Sequence, residues 1–137
     1  MNQVIIYKQD NGTVAIIRPT EEALATMTLE QIATKDVPAG KAFSIVDAAT
    51  IPSDRHFRNA WKGDLTVDMP KAVNITKDRL RAERAPLLAA QDVLMLRAQE
   101  TGASTVAIVA EKNRLRDVTK LADKTGITLE QLKALAV

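Results

Sequence analysis

The chain contains no cysteine. Disulfides, thiolate zinc sites and cysteine nucleophiles are therefore excluded. Aromatic residues make up only 3% of the chain, so any core has to be built from Ile, Val, Leu and Ala. Glycine is limited to Gly12, Gly40, Gly63, Gly102 and Gly126. These lie too far apart to form a phosphate-cradling loop, and each suits a turn or a helix end. Long apolar runs are missing as well. Met1 leads directly into Val4-Ile5-Ile6-Tyr7 without a basic leader, so neither a signal peptide nor a membrane-spanning helix is expected. The formal net charge is +2, too small by itself to imply nucleic-acid binding.

Catalytic groups are equally sparse. The one histidine, His56, lies between Arg55 and Phe57. An imidazole that moves protons needs a positioned carboxylate or nucleophile. Asp54 is close in sequence, but neighbours two apart on a helix point to different faces. Glu21 and Glu22 are adjacent at a helix start, where the helix dipole already accounts for them. One His with scattered acids has no metal-ligand spacing. The sequence thus predicts no catalytic, metal or cofactor-binding residue, and a non-enzymatic protein that works by binding other proteins.

What remains is an ordinary globular composition, 46% hydrophobic and 26% charged over 137 residues. That suits one domain or two small halves and is too apolar for disorder. The elements spell an α+β protein. Val4–Lys8 and Val14–Ile17 are β-branched runs around Asp10-Asn11-Gly12, which predicts a hairpin closed by a tight I′-type turn. Thr20 predicts a cap for a helix over Glu21–Ala25, and Thr28 with Gln31 has capping-box spacing ahead of Leu29–Thr34. Ala42–Val46 reads as a third strand. Ser53 or Asp54 can cap a short helix through Arg55–Trp61, and Leu65–Val67 reads as a brief extended piece.

From Ala72 the pattern turns helical, with Leu80, Leu87 and Leu94 seven apart. Pro86 predicts a kink or two abutting helices, and Thr101-Gly102 a helix end. A returning helix over about Thr105–Leu121 follows. Thr128 with Gln131 repeats the capping box before a last helix. The expected organisation is a small α+β domain at 1–68 and, at 69–137, an antiparallel helical hairpin with a short terminal helix. Leu80, Leu87 and Leu94 are expected to face Val109, Leu115 or Val118.

Two basic regions stand out. Arg55, Arg58 and Lys62 have the spacing of one helical stripe, and Phe57 and Trp61 that of another. Trp and Arg are favoured interface anchors. The alternative is that Phe57 and Trp61 pin the segment onto the sheet while the cations stay solvated. Lys71, Lys77, Arg79, Arg81 and Arg84 form the second region, with Asp78 and Glu83 among them. No stacking aromatic accompanies it.

The run Arg79-Leu80-Arg81-Ala82-Glu83-Arg84-Ala85-Pro86-Leu87-Leu88 is followed by Asp92, and later by Ala110-Glu111-Lys112-Asn113-Arg114-Leu115-Arg116-Asp117-Val118-Thr119. This resembles the helical hairpin of small tailed-bacteriophage proteins of the tail-assembly chaperone type and of some tail-fibre ends. The first half is similar to small proteins encoded beside phage tail genes, through Lys35–Gly40, Val46-Asp47-Ala48-Ala49, Ile51–Arg55 and Phe57–Trp61. Aromatics and Pro of the chaperone pattern are replaced by Val93, Asn113 and Lys120. The resemblance covers most of residues 35–119. It implies an assembly factor or minor virion component acting through protein contacts. Its partners would be other tail or tail-fibre proteins, with self-association open, and its place the host cytoplasm during assembly or the virion. The residues expected to bind partners are Arg55, Arg58, Trp61, Arg116 and Asp117. The alternative is a small basic regulator that binds nucleic acid.

Overall fold

A computed structural model describes residues 2–137. The fold is α+β, and the chain divides into two compact units between Asp68 and Met69. In the first unit, β1 (Gln3–Lys8) lies between β2 (Val14–Ile17) and β3 (Phe43–Asp47) in an antiparallel sheet. The register places Ile5 opposite both Ile17 and Ile45.

Successive side chains of a strand point to opposite faces. Ile5 and Tyr7 join Ile17 and Ile45 on one face, against Ile32, Ala33 and Val37. That face is covered by α1 (Glu21–Thr26) and α2 (Leu29–Asp36), which contribute Ala23 and Ile32. Val4 and Ile6 point the other way and pack with Val14, Trp61 and Leu65. Burial on both faces is why Val4-Ile5-Ile6 is continuously apolar rather than alternating.

The helix starts follow local chemistry. The Thr20 hydroxyl accepts from the Ala23 N–H at 3.2 Å. Thr28 and Gln31 form a full capping box: the Gln31 N–H donates to Thr28 Oγ1 and the Thr28 N–H to Gln31 Oε1. Thr128 and Gln131 repeat it at the start of α5 (Leu129–Ala134).

The hairpin turn differs from the expected I′ type. Only Gly12 (φ 84°) takes positive φ there, not Asn11. The Gly12 N–H donates to the Gln9 carbonyl at 3.0 Å and the Gln9 N–H to the Thr13 carbonyl at 2.8 Å. This is a longer loop in which a turn is followed by one left-handed residue. Asn11 spends its side chain instead: Oδ1 accepts from the Thr13 N–H and hydroxyl.

The same loop occurs again at Lys62–Thr66. The Leu65 N–H donates to the Lys62 carbonyl and the Lys62 N–H to the Thr66 carbonyl, while Asp64 Oδ1 accepts from the Thr66 N–H and hydroxyl. Here the left-handed position is held by Leu65, at φ 66°. A branched residue there costs on the order of 1–3 kcal/mol. Burying the Leu65 side chain in the core beside Trp61 returns roughly 1.5–3 kcal/mol, so strain and burial nearly offset one another.

The expected helix over Arg55–Trp61 is absent. Turns and one 3-10 turn, Arg58–Ala60, replace it, and Trp61 pairs with Val67 in an isolated antiparallel bridge. Phe57, Ala60, Trp61 and Leu65 are all buried, and their spacing would suit one helix face. Trp61 is nonetheless extended and bridged to Val67, and the Lys62–Thr66 loop turns the chain back on itself.

The second unit is built on α3 (Met69–Thr101), which runs through Pro86 as one helix rather than two abutting ones. The carbonyl that loses its hydrogen bond to Pro86 belongs to the exposed Ala82, where water can replace the missing donor. The chain returns along α3 as α4 (Val106–Asp117), a 3-10 segment (Val118–Asp123) and α5. The returning helix therefore tightens four residues before the expected end at Leu121.

Cross-contacts set the antiparallel register. Lys112 Nζ meets Asp92 at 2.5 Å, Arg84 donates to the carbonyls of Leu115 and Arg116, and Lys77 meets Asp123 at 2.6 Å. Arg79 Nη2 donates to the Leu132 and Leu135 carbonyls at 3.1 and 2.8 Å. This guanidinium caps the end of α5. It supplies a donor to the Leu135 carbonyl and a second donor to the Leu132 carbonyl, which the Leu135 N–H also reaches.

The buried layer holds Thr76, Leu80, Leu115, Val118, Ala122 and Leu132. Leu87 and Leu94, expected with Leu80 in the core, are instead 42% and 45% exposed. Val109 and Leu121 are exposed too.

Two outcomes test this account. Leu80→Ala is expected to cost about 2–5 kcal/mol, as for a fully buried leucine, and Leu87→Ala at most about 1 kcal/mol. Denaturation followed by far-ultraviolet circular dichroism measures both, and equal losses would contradict the packing. Gly12→Val is expected to cost about 1–3 kcal/mol by forcing a β-branched residue into left-handed geometry. Trp61 fluorescence reports unfolding of that unit, and an unchanged midpoint would contradict the turn.

Candidate partner-binding surface

The residues expected to bind partners fall into three situations. Trp61 is only 1% exposed and belongs to the sheet core. It cannot serve as a solvent-facing anchor in this fold, and the pinning role holds for it; Phe57 is buried as well. The absent helix also dissolves the basic stripe argued from its spacing. Arg55 and Arg58 are nonetheless exposed. The Arg55 guanidinium lies 6.0 Å from the Trp61 ring centroid, at the outer limit of a cation–π contact. Arg58 gives its main-chain carbonyl to the Ala60–Trp61 turn at 3.1 Å through the Trp61 N–H. Its side chain has no partner among the described residues.

Arg116 and Asp117 belong to the second unit and are exposed at the end of α4. Arg116 reaches Asn113 Oδ1 at 3.4 Å, and Asp117 pairs with Lys120 at 3.0 Å. Such exposed pairs contribute about 0–1 kcal/mol and open readily to another ligand.

The second basic region is largely occupied within its own unit. Arg81 pairs with Asp78, Arg79 with Glu83, and Lys77 with Asp123. Arg84 is held by main-chain carbonyls.

Recesses offer little chemistry. An open hollow of about 650 Å³ in the first unit is lined by Ile6, Val46, Leu65 and the carboxylates Asp47 and Asp64, among others. Both carboxylates are tied to their own turns, Asp47 to the Ala49 N–H at 2.9 Å and Asp64 to Thr66. The Thr66 hydroxyl and N–H hold the Asp64 carboxyl below its usual range. A general acid near neutrality needs the opposite shift. His56 is exposed, with its ring edge-on to Phe57 at 4.6 Å. Among the described residues no three His, Asp or Glu gather where they could hold a metal ion.

The surface feature that sequence reasoning missed lies on the helical unit. Leu87, Val93, Leu94 and Leu96 of α3 and Val106 and Val109 of α4 are 42–76% exposed. Leu87 and Leu94 share one face of α3, while Leu96 lies on the opposite side; exposed apolar patches mark protein contacts. The signal was present in the sequence as two interleaved heptads. Arg84, Leu88, Gln91, Met95 and Ala98 are spaced four, three, four and three, and are partly or fully buried. Glu83, Leu87, Ala90, Leu94 and Arg97 repeat that spacing one residue earlier, and all but the half-buried Glu83 are exposed.

Trp61→Ala is expected to unfold the first unit, because it empties the largest fully buried side chain of the core; losses of about 3–5 kcal/mol are typical. Arg58→Glu and Arg116→Glu should each change stability by no more than about 0.5 kcal/mol. Thermal melts of the three variants decide this, and a Trp61→Ala melt matching the parent would contradict the packing. No known protein family, curated protein or solved structure matches this chain.

Proposed function

We propose that this is a non-enzymatic protein of tailed-bacteriophage tail assembly, an assembly factor or minor virion component that acts through protein–protein contacts. The observation that carries the reading is the set of exposed Leu and Val side chains on the helical unit, from Leu87 to Val109. A chain that folds two compact units yet leaves this many Leu and Val side chains in water has a partner for them. The resemblance of Arg79–Leu88 and Ala110–Thr119 to the helical hairpin of tail-assembly proteins names the class of partner: tail or tail-fibre proteins. Arg116 and Asp117 on the helical unit, and separately Arg55 and Arg58 on the first unit, offer exposed and loosely held polar groups for protein contacts.

Among the described residues no helix is long and apolar enough to cross a membrane. The paired state of Lys77, Arg79, Arg81 and Arg84 favours a protein partner over nucleic acid, because phosphate contacts would have to displace those partners.

The test is a tagged copy of the chain produced during phage assembly. Mass spectrometry should find it with tail or tail-fibre proteins in assembly intermediates, in purified particles, or in both. Replacing Leu96 and Val106 by Glu should reduce that association at least about tenfold. Particles and intermediates that both lack the chain, with assembly unaffected by its deletion, would overturn the reading.

A further inference from the structure

We propose that a second copy of this chain docks antiparallel along α3, on the seam formed by Leu87, Ala90 and Leu94. The inference rests on the reading of the helical surface as a protein contact, and it assigns an occupant to one strip of that surface.

The argument starts from the two heptads of α3. Apolar residues at alternating spacings of four and three mark the line along which a helix meets one neighbour. A helix carrying two such lines, offset by one residue, is built for two neighbours, as in a helical bundle. The line through Leu88, Met95 and Ala98 is the more buried, and α4 is the helix that packs on this part of α3. The line through Leu87 and Leu94 continues that of the fully buried Leu80. It leaves the core after Leu80, and Leu87 and Leu94 are 42% and 45% exposed. One neighbour is therefore missing.

The charges on this line select the occupant. Glu83 and Arg97 each lie seven residues from Ala90, on opposite sides. A two-fold axis at Ala90 brings Glu83 of each copy against Arg97 of the other, so both charged ends are matched at once. Isologous pairing of this kind makes one patch complementary to itself. Parallel pairing would instead set Glu83 beside Glu83 and Arg97 beside Arg97, which is repulsive. Arg97 has no side-chain partner among the described residues. Glu83 binds Arg79 through Oε1, and a carboxylate can accept from a second cation. At the centre, Ala90 is small enough for the two helices to approach closely, while Leu87 of one copy packs near Leu94 of the other.

Sedimentation velocity of the full chain over a concentration series tests the proposal. The parent should pass from monomer to dimer. Glu83→Arg and Arg97→Glu should each weaken dimerisation at least about tenfold, because each sets like charges together twice. An equimolar mixture of the two variants should dimerise as the parent does, since the mixed pair restores both contacts. As a measurement independent of charge, Ala90→Cys should cross-link to itself through a short bis-maleimide, the parent having no cysteine. Arg97→Cys should not, because antiparallel pairing separates the two positions by roughly 21 Å along the helix. A parent that stays monomeric, variants that dimerise unchanged, a mixture that fails to recover, or equal cross-linking at both positions would each overturn the proposal. A monomeric chain that still associates with tail proteins would overturn this inference and leave the proposed function standing.

Discussion

A mismatch of length governs the helical unit. α3 has 33 residues, about 50 Å of helix, whereas α4 has 12, about 18 Å. No single returning helix can cover the first. The chain covers it in pieces instead: α4, the 3-10 segment Val118–Asp123, then α5. Each piece is fixed by a different cation. Lys112 reaches Asp92, Arg84 takes the carbonyls at the end of α4, Lys77 meets Asp123, and Arg79 closes the end of α5. The basic residues that give the region its charged look are thus largely the joinery of a helical stack. They also free Leu80, Leu115 and Leu132 to form its dry layer. Where the cover is one helix wide, Leu87 and Leu94 remain at the surface.

The first unit solves a different problem. Three short strands bury little by themselves, and only one face of this sheet meets α1 and α2. The other is closed by the irregular segment carrying Trp61 and Leu65. A chain with so few aromatics places its one tryptophan in this segment, extended and bridged to Val67. Leu65 accepts a left-handed backbone so that its side chain can join the layer. The strain is local, and the hydrogen-bonding of the Lys62–Thr66 loop, shared with the β1–β2 loop, fixes it.

Local rules read well from the sequence and packing rules less so. Both capping boxes, the strands and the helix after Thr20 have causes within four residues, and they form as expected. The α+β order follows from them. The Arg55–Trp61 segment misled because helical spacing of Phe57 and Trp61 is also compatible with two inward-facing residues of a turn. What decides is the second face of the sheet, which no local signal announces. Leu87 and Leu94 misled because a heptad states that a helix has neighbours without saying whether they come from the same chain. Of the expected partner-binding residues, Arg55, Arg58, Arg116 and Asp117 are accessible and Trp61 is not. Arginines at helix ends and turns stay solvated almost wherever the chain folds, whereas the fate of an aromatic depends on what it can cover.

The central claim is that the exposed strip of α3 between Glu83 and Arg97 is a protein contact and not idle surface. Hydrogen exchange of the full chain, read peptide by peptide at low and high protein concentration, addresses it most directly. The account predicts slower exchange across residues 83–97 at high concentration, with the strands at 3–17 unchanged. Identical exchange of residues 83–97 at both concentrations, and again in the presence of assembling tail proteins, would contradict it.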